Sequence, residues 1–238
     1  MSDEMKGKTI LAVVAHADDL DFGCAGSIAK WAKDGAVIHY LILTDGSKGS
    51  EDMSITNEEL AKMRVEEQKN AADVLGVKEV HFGGFTDGEL YNTPELRYAI
   101  VKLIRELKPD RVLTTDPTFV YSEEFGFINH PDHRNAGQAT LDSVFPFARN
   151  SRTFPDLLEE GLKPHSVLDV CIVNFVRGNY VVDISDTFDL KIKALEKHQS
   201  QLGDIKGFKE RMKERASMIG KNKGYKLAES FVRIQLRG

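Results

Sequence analysis

Short apolar runs alternate with amphipathic segments through the first half of the chain. The runs "KTILAVVA", "AVIHYLIL", "KEVHFGGF" and "DRVLTTD" have the length and the branched residues of buried strands. Three helices are predicted between them: "AGSIAKWAKDGA", a segment capped by Asn57 and ended by Gly76, and "PELRYAIVKLIREL", with Pro94 at its start. Strands separated by helices imply βαβ units. We therefore predict an α/β protein, a Rossmann-like three-layer sandwich with a mainly parallel sheet.

The second half begins with a long connection, "PTFVYSEEFGFINHPDHR", of the kind that often forms a binding loop. A helix is predicted from about Pro131 to Phe147, followed by the strands "VLDVCIVNF" and "YVVDIS". Two charged amphipathic helices are then predicted over Thr187–Leu202 and Ile205–Met218. The pattern shows no internal repeat and no linker, so we predict a single domain over residues 1–238.

Composition narrows the class of protein. The chain is 41% apolar, with a formal net charge of -5, which fits one sizeable domain and offers no basic surface for nucleic acid. Cys24 and Cys171 are far apart and form no C-x-x-C pair. The N-terminus is polar, and no run reaches the length of a membrane span. We predict a cytoplasmic protein with a small-molecule partner and without nucleic-acid or membrane partners.

Charged residues cluster where the first strand ends. In "AHADDLDFGCAG", His16, Asp18, Asp19 and Asp21 directly follow an apolar run. Ligands of parallel α/β sheets bind outside the carboxyl ends of the strands, so an active site is predicted at this edge. His39 and His81, by contrast, lie inside predicted strands and are interpreted as core or surface imidazoles without a role.

A second cluster, "HPDHR", opens the helix at Pro131, and its His130 and His133 are spaced to face one side. If His133 lies beside His16 and Asp19, the three provide the two-histidine, one-carboxylate set of a catalytic zinc site.

The acids and histidines left over from that ligand set suit metal-assisted hydrolysis. Asp18 would be free to act as a base, and His130 would be free to donate a hydrogen bond or a proton. Asp132 could orient one of the imidazoles.

Two other interpretations compete for the same residues. "GCAGS" loosely resembles a dinucleotide-binding turn, with Asp45 near the position of a ribose-binding acid, but only G-x-x-G is present and the preceding acids would repel a pyrophosphate. Two histidines and a carboxylate also suit Fe(II) oxygenases. Those enzymes use an all-β jelly roll, against which the βα alternation argues.

The segments "AHADD", "GCAGSIAKWAKDGA" and "HPDHR" resemble the signature motifs of the LmbE/PIG-L family of zinc-dependent N-deacetylases. The usual first motif is P-H-P-D-D, and Ala15 and Ala17 replace its two prolines here. The resemblance continues through "LTDGSKGS", "MRVEEQKNAADVLGV", "FTDGEL", "YVVDISDTFDLKIKALEKHQSQ" and "YKLAESF", which covers nearly the whole chain. Within the family, the pattern is similar to diacetylchitobiose deacetylases and to N-acetylglucosaminyl malate deacetylases.

The resemblance implies roles for individual residues. It implies a zinc site formed by His16, Asp19 and His133, which could also bind Fe2+ or Co2+. It also implies roles for five further residues. Asp18 would be the general base, and protonated His130 would stabilise the oxyanion or protonate the leaving amine. Asp132 would orient a histidine, and Arg64 and His198 would bind substrate.

The resemblance also implies the reaction, which is removal of an acetyl group from an N-acetylated amino sugar, and a homo-oligomer, either a trimer or a hexamer. A different N-acyl substrate, or a non-catalytic relative that only binds metal, stays open. The loop aromatics could stack on a sugar ring or could pack an interface; they are Phe119, Tyr121, Phe125 and Phe127.

Overall fold

The computed structural model describes residues 4–123, 126–175, 177–202, 207–221 and 223–237. The strands are β1 (Thr9–Val14), β2 (Val37–Thr44), β3 (Glu79–Phe85), β4 (Arg111–Thr115), β5 (Tyr121–Ser122), β6 (Phe127–Ile128), β7 (Asp169–Val173), β8 (Tyr180–Asp183) and β9 (Ala228–Gln235). The helices are α1 (Asp19–Lys33), α2 (Asn57–Leu75), α3 (Pro94–Leu107), α4 (Pro131–Asp142), α5 (Pro155–Glu159), α6 (Phe188–Leu195), α7 (Gln199–Leu202) and α8 (Phe208–Lys221).

One large sheet organises the chain, with strand order β3-β2-β1-β4-β7-β9-β8. The first five strands in that order run parallel to one another. β9 is antiparallel to β7, and β8 is antiparallel to β9. The predicted α/β class with a mainly parallel sheet is confirmed, and the carboxyl ends of the parallel strands share one edge.

Side chains of β1 show how the sheet is covered on both faces. Ile10, Ala12 and Val14 point into an apolar core that includes residues of α1, α2 and α6. Leu11 and Val13 point into a second core with residues of α3 and α4. A strand that is buried on both faces is expected to be continuously apolar, as "TILAVV" is. The result is the three-layer arrangement predicted from the alternating pattern.

Local signals explain where the helices begin and end. α2 begins with a capping box in which the Thr56 hydroxyl accepts from the Glu59 N–H, so the predicted cap at Asn57 is wrong by one residue. Gly76 ends α2 with φ of 78°, which is a conformation that glycine adopts without strain. Pro94 and Pro131 each occupy a first helical turn, as predicted.

The C-terminal half departs further from the predicted pattern. The predicted helix Thr187–Leu202 is two helices, α6 and α7, and the predicted start of the next helix at Ile205 lies outside the described residues. The helix predicted to Phe147 ends at Asp142 and continues as a π-helical turn. The pattern gave no prediction of β9, which completes the sheet between β7 and β8.

Within the described ranges, every helix is too short or too polar to cross a lipid bilayer.

Candidate metal centre and active-site cleft

A cleft of about 1100 Å3 opens at the carboxyl edge of the parallel strands. Residues that directly follow β1, β2, β3, β4 and β7 line it, together with the start of α4. The two clusters identified in the sequence, at His16–Asp19 and His130–His133, both contribute to its wall. The cleft therefore lies where ligands of such sheets bind.

Donor atoms of three residues converge inside the cleft, and both carboxylate oxygens of Asp19 take part. His16 Nδ1 lies 3.1 Å from His133 Nε2, which in turn lies 3.0 Å from Asp19 Oδ1. The remaining separation, from His16 Nδ1 to Asp19 Oδ2, is 3.8 Å. Ligands placed about 2.1 Å from a tetrahedral ion are about 3.4 Å from one another. The three separations bracket this value, so these donors fit a divalent metal ion.

The other ring nitrogens of the two histidines are held in a way that suits metal binding. His16 Nε2 lies 3.0 Å from Asp87 Oδ1 and 3.4 Å from Asp132 Oδ2. His133 Nδ1 lies 3.0 Å from Asn129 Oδ1. Since these oxygens accept hydrogen bonds, they favour the tautomers that leave His16 Nδ1 and His133 Nε2 unprotonated toward the cleft.

Carboxylates give this part of the cleft a field that attracts cations. Burial opposes a charge on His16, but the hydrogen bonds that His16 donates to Asp132 and Asp87 outweigh it and raise the pKa of His16 to about 10. Burial likewise opposes a charge on Asp87, yet the hydrogen bond to His16 lowers the pKa of Asp87 to about 2. The carboxylates that favour a proton on His16 would also favour a metal cation, which has to displace that proton in order to bind.

Asp18 is next to these donors and is held in an unusual backbone conformation. Its φ is 84°, in the left-handed region that aspartate tolerates better than most residues. Its N–H donates to Gln68 Oε1 at 2.9 Å, and its side chain is 14% exposed. Burial, followed by the neighbouring Asp19 carboxylate, raises the pKa of Asp18 to about 7. This carboxylate is therefore available to exchange a proton near neutral pH.

His130 caps α4 with its ring. His130 Nδ1 accepts a hydrogen bond from the N–H of Asp132 at 3.2 Å, so the neutral ring carries its proton on Nε2. Burial, followed by the charge of His16, lowers the pKa of His130. The geometry thus favours a neutral His130 that donates Nε2–H, whereas the resemblance implied a protonated one. The ring centroids of His130 and His16 are 4.9 Å apart.

Asp132 is buried at the start of the same helix. Its Oδ2 accepts from the N–H of Gly88 at 2.8 Å and its Oδ1 from the N–H of Leu90 at 3.3 Å. The side chain therefore fixes the loop after β3 while it contacts His16. This placement is compatible with the predicted orienting role.

Arg64 and His198, predicted to bind substrate, have different environments. Arg64 lines the cleft, but its guanidinium donates to the carbonyls of Ala17 and Gly46 and lies 3.6 Å from Asp18 Oδ1. His198 is fully buried behind the cleft, with Nε2 2.7 Å from Asp21 Oδ2. The structure does not bring the His198 ring to the cleft wall.

The glycines of "GCAGS" serve helix packing. Gly23 and Gly26 lie inside α1, where a Cβ on Gly26 would come within 2.8 Å of Ile184. Asp45 Oδ1 accepts from the N–H groups of Ser47 and Asp87. These contacts explain the glycines and the acid without a dinucleotide, so the dinucleotide-binding interpretation has no structural support.

Three residues of the site escaped the sequence analysis: Asp87, Asn129 and Gln68. Asp87 follows β3, so the rule that ligands bind at strand carboxyl ends could have identified it in "FTDGEL". Asn129 precedes His130, and its role depends on where the loop turns. Gln68 lies within α2 and links the Asp18 N–H to Asp21 Oδ2 through its amide, at 2.9 and 3.0 Å. Nothing in its local pattern distinguishes it from a surface glutamine.

Aromatic side chains form the outer wall of the cleft. Phe119, Tyr121 and Phe127 line it, and the rings of Phe119 and Phe127 stack with centroids 6.1 Å apart. Tyr121 is 60% exposed. The predicted fourth aromatic, Phe125, lies outside the described residues.

Comparison with known proteins gives consistent matches. The model of the family PIG-L, GlcNAc-PI de-N-acetylase, matches residues 11–144. The chain is 37% identical to the diacetylchitobiose deacetylase of Thermococcus kodakarensis, over 94% of this chain and 82% of that protein. It is 28% identical to a probable N-acetyl-alpha-D-glucosaminyl L-malate deacetylase 2 of Bacillus anthracis, over 81% and 80% of the two chains. The solved N,N'-diacetylchitobiose deacetylase of Pyrococcus horikoshii superposes with a TM-score of 0.88 and 32% identity, covering 96% and 84% of the two chains.

Proposed function

Since the chain belongs to the PIG-L family of de-N-acetylases, we propose that it hydrolyses the acetamide of an N-acetylated amino sugar at the centre formed by His16, Asp19 and His133. The observation that carries this proposal is the convergence of these three donors, 3.0 to 3.8 Å apart, beside the separate carboxylate of Asp18. Three ligands, an open position and a nearby base are the requirements of metal-assisted hydrolysis.

The metal would be held by His16 Nδ1, His133 Nε2 and the carboxylate of Asp19. We propose zinc, since two imidazoles and a carboxylate suit it, although Fe2+ and Co2+ accept the same donors. When bound, such an ion lowers the pKa of water and polarises the acetamide carbonyl.

Asp18 transfers the proton during the reaction, and His130 stabilises the developing charge. Asp18 accepts a proton from the attacking water as the new C–O bond forms. His130 Nε2–H donates a hydrogen bond to the carbonyl oxygen as charge develops there. The proton then passes from Asp18 to the nitrogen as the C–N bond breaks, which leaves acetate and a free amine. Arg64, 3.6 Å from Asp18, limits the rise of the Asp18 pKa and orients the carboxylate.

The charges of the cleft favour a neutral substrate. Its wall carries the cations Lys48, Arg64, Arg177 and Arg215. Lys48 pairs with Glu89 at 2.7 Å, and Arg177 lies 3.5 Å from Asp116. Arg64 and Arg215 donate to backbone carbonyls. Four carboxylates line the same wall, Asp18, Asp19, Asp87 and Asp116, so the cations are balanced and a dicarboxylate such as malate gains little net attraction from it.

We therefore expect diacetylchitobiose to be deacetylated with a kcat/KM roughly tenfold or more above that of N-acetylglucosaminyl malate. The measurement is the release of free amine from both compounds and from N-acetylglucosamine, with purified, zinc-supplemented protein. A faster reaction on the malate conjugate would contradict the neutral-substrate assignment alone. Failure to release amine from any of the sugars would contradict the proposed function.

Asp87→Asn should lower kcat/KM about 10- to 100-fold, because the amide loses the charge that holds His16 Nε2–H. The backbone contacts of this loop should persist, since the Asn oxygen can still accept from the N–H of Lys48, which now lies 2.9 Å from Asp87 Oδ2. Asp34→Asn, the same chemical change at the far end of α1 from the cleft, where the carboxylate lies 3.9 Å from Lys30, is the control. Unchanged activity and metal affinity in Asp87→Asn would show that His16 does not need this partner.

Two further predictions from the sequence stand beside this proposal. We propose a homo-oligomer, either a trimer or a hexamer, and a cytoplasmic location. The exposed aromatics of the cleft wall, Tyr121 and Phe127, would then contact either a sugar ring or a neighbouring subunit.

A further inference from the structure

A second cluster of metal-binding side chains lies at the free edge of the sheet. β3 is the edge strand and pairs in parallel with β2. His39 pairs with Glu79, and Leu41 pairs with His81. Residues two apart on a strand share a face, so His39, Glu79 and His81 project from the same face of these neighbouring strands.

The three side chains are close enough to share one ion. His39 Nδ1 lies 3.3 Å from His81 Nε2. Glu79 Oε2 lies 3.8 Å from His39 Nδ1 and 3.6 Å from His81 Nε2. These values are close to the separation of about 3.4 Å between ligands of a tetrahedral zinc ion. The set is again two imidazoles and one carboxylate.

Burial prepares the histidines for this role. The His39 side chain is 9% exposed, and that of His81 is 24% exposed. Burial, followed by the nearby His81, lowers the pKa of His39, while Glu79 raises it and Lys78 lowers it. A neutral imidazole is the form that binds a metal. Glu79 is exposed, so an ion held here would remain open to solvent on one side.

This cluster is separate from the catalytic centre. His39 lies five positions before Thr44, the last residue of β2, which corresponds to about 16 Å along the strand. None of its three residues belongs to the cleft wall as the described residues define it. A change at His81 should therefore leave the cleft intact.

We propose that His39, Glu79 and His81 form a second binding site for a divalent transition metal, with zinc as the preferred ion and an open fourth position. The ion would join the edge strand β3 to β2. This inference does not depend on the proposed function, because it concerns different ligands at the other end of the strands.

Zinc titration of the chelator-treated full chain by calorimetry tests the proposal. The wild-type chain should bind two equivalents. His81→Gln should bind one and retain its deacetylase activity, and Asp19→Asn should bind the other equivalent about 100-fold or more weakly and lose most of its activity. Glu79→Gln should keep the imidazoles and weaken the second equivalent about tenfold or more. His165→Gln, at a histidine whose ring contacts the Pro109 carbonyl, is the matched control and should bind two.

The outcomes are distinct. One equivalent in the wild-type chain, lost entirely in Asp19→Asn, would overturn the second site and leave the catalytic one. Two equivalents in His81→Gln would also overturn it. If His81→Gln folds poorly, Glu79→Gln decides, because its side chain is 58% exposed and its replacement leaves no gap in the core.

Discussion

Asp18→Asn should lower kcat/KM by about 10²- to 10⁴-fold while its zinc content stays at the wild-type level. Asp18 lies between the proposed metal ligands His16 and Asp19 in the sequence but is not itself a proposed ligand. Burial, followed by the neighbouring Asp19, raises the pKa of Asp18 to about 7. An amide cannot take a proton from the attacking water. The loss should therefore fall on the chemical step and appear in kcat.

The choice of asparagine follows from the backbone. Asp18 has φ of 84°, and asparagine tolerates this region better than alanine does. The Asp18 N–H can still donate to Gln68 Oε1, which fixes the turn into α1. Asp18→Ala would combine a lost base with backbone strain, so its result would be harder to interpret.

Asp34→Asn, at the other end of α1, is the control because it makes the same chemical change where the carboxylate contacts only Lys30 at 3.9 Å in the described chain. It should retain activity and metal. Near-normal turnover in Asp18→Asn would remove Asp18 as the base, and loss of zinc in that variant would make it a ligand instead.

Periodicity and end signals account for the part of the fold that the sequence predicts. β1 is a continuous apolar run and β2 is nearly so, and Gly76, Pro94 and Pro131 mark helix boundaries through constraints that act within a few residues. β9 was missed because "AESFVRIQ" mixes charged and apolar residues. It becomes a strand because β7 and β8 offer their edges to it, which is a tertiary effect.

The candidate site likewise contains residues that the sequence predicts and residues that it does not. His16, Asp19 and His133 could be predicted together because strand ends and a helix start bring distant motifs to one edge. Asp87 and Asn129, which fix the two imidazoles, come from loops whose course no periodic pattern specifies. His198 is the opposite case. The sequence predicted that it binds substrate in the cleft, but its buried ring contacts Asp21 instead. In the sequence, His39 and His81 look like ordinary strand residues, and only the pairing register of β2 and β3 shows that they are neighbours.

Asp19→Asn should reduce zinc affinity by about 100-fold or more and lower kcat/KM by roughly 10³-fold or more. Its carboxylate is the only negatively charged member of the proposed ligand set, and it also accepts from the His16 N–H at 2.9 Å. Asparagine preserves that hydrogen bond, so the fold should survive while the charge is lost. Chelator treatment of the wild-type chain should abolish activity in the same way, and added zinc should restore it.

Thermal unfolding separates this effect from a structural one. Zinc at about 100 times its Kd stabilises a folded chain by about 2.7 kcal/mol, which corresponds to about 5–10 °C in Tm for a chain of this length. Asp19→Asn should lose this shift at the same zinc concentration. Any smaller shift that persists in Asp19→Asn but disappears in Asp19→Asn/His81→Gln belongs to the β2–β3 edge. Full activity in zinc-free Asp19→Asn would contradict the metal mechanism itself, because Asp18 and His130 would then hydrolyse the acetamide without a metal ion.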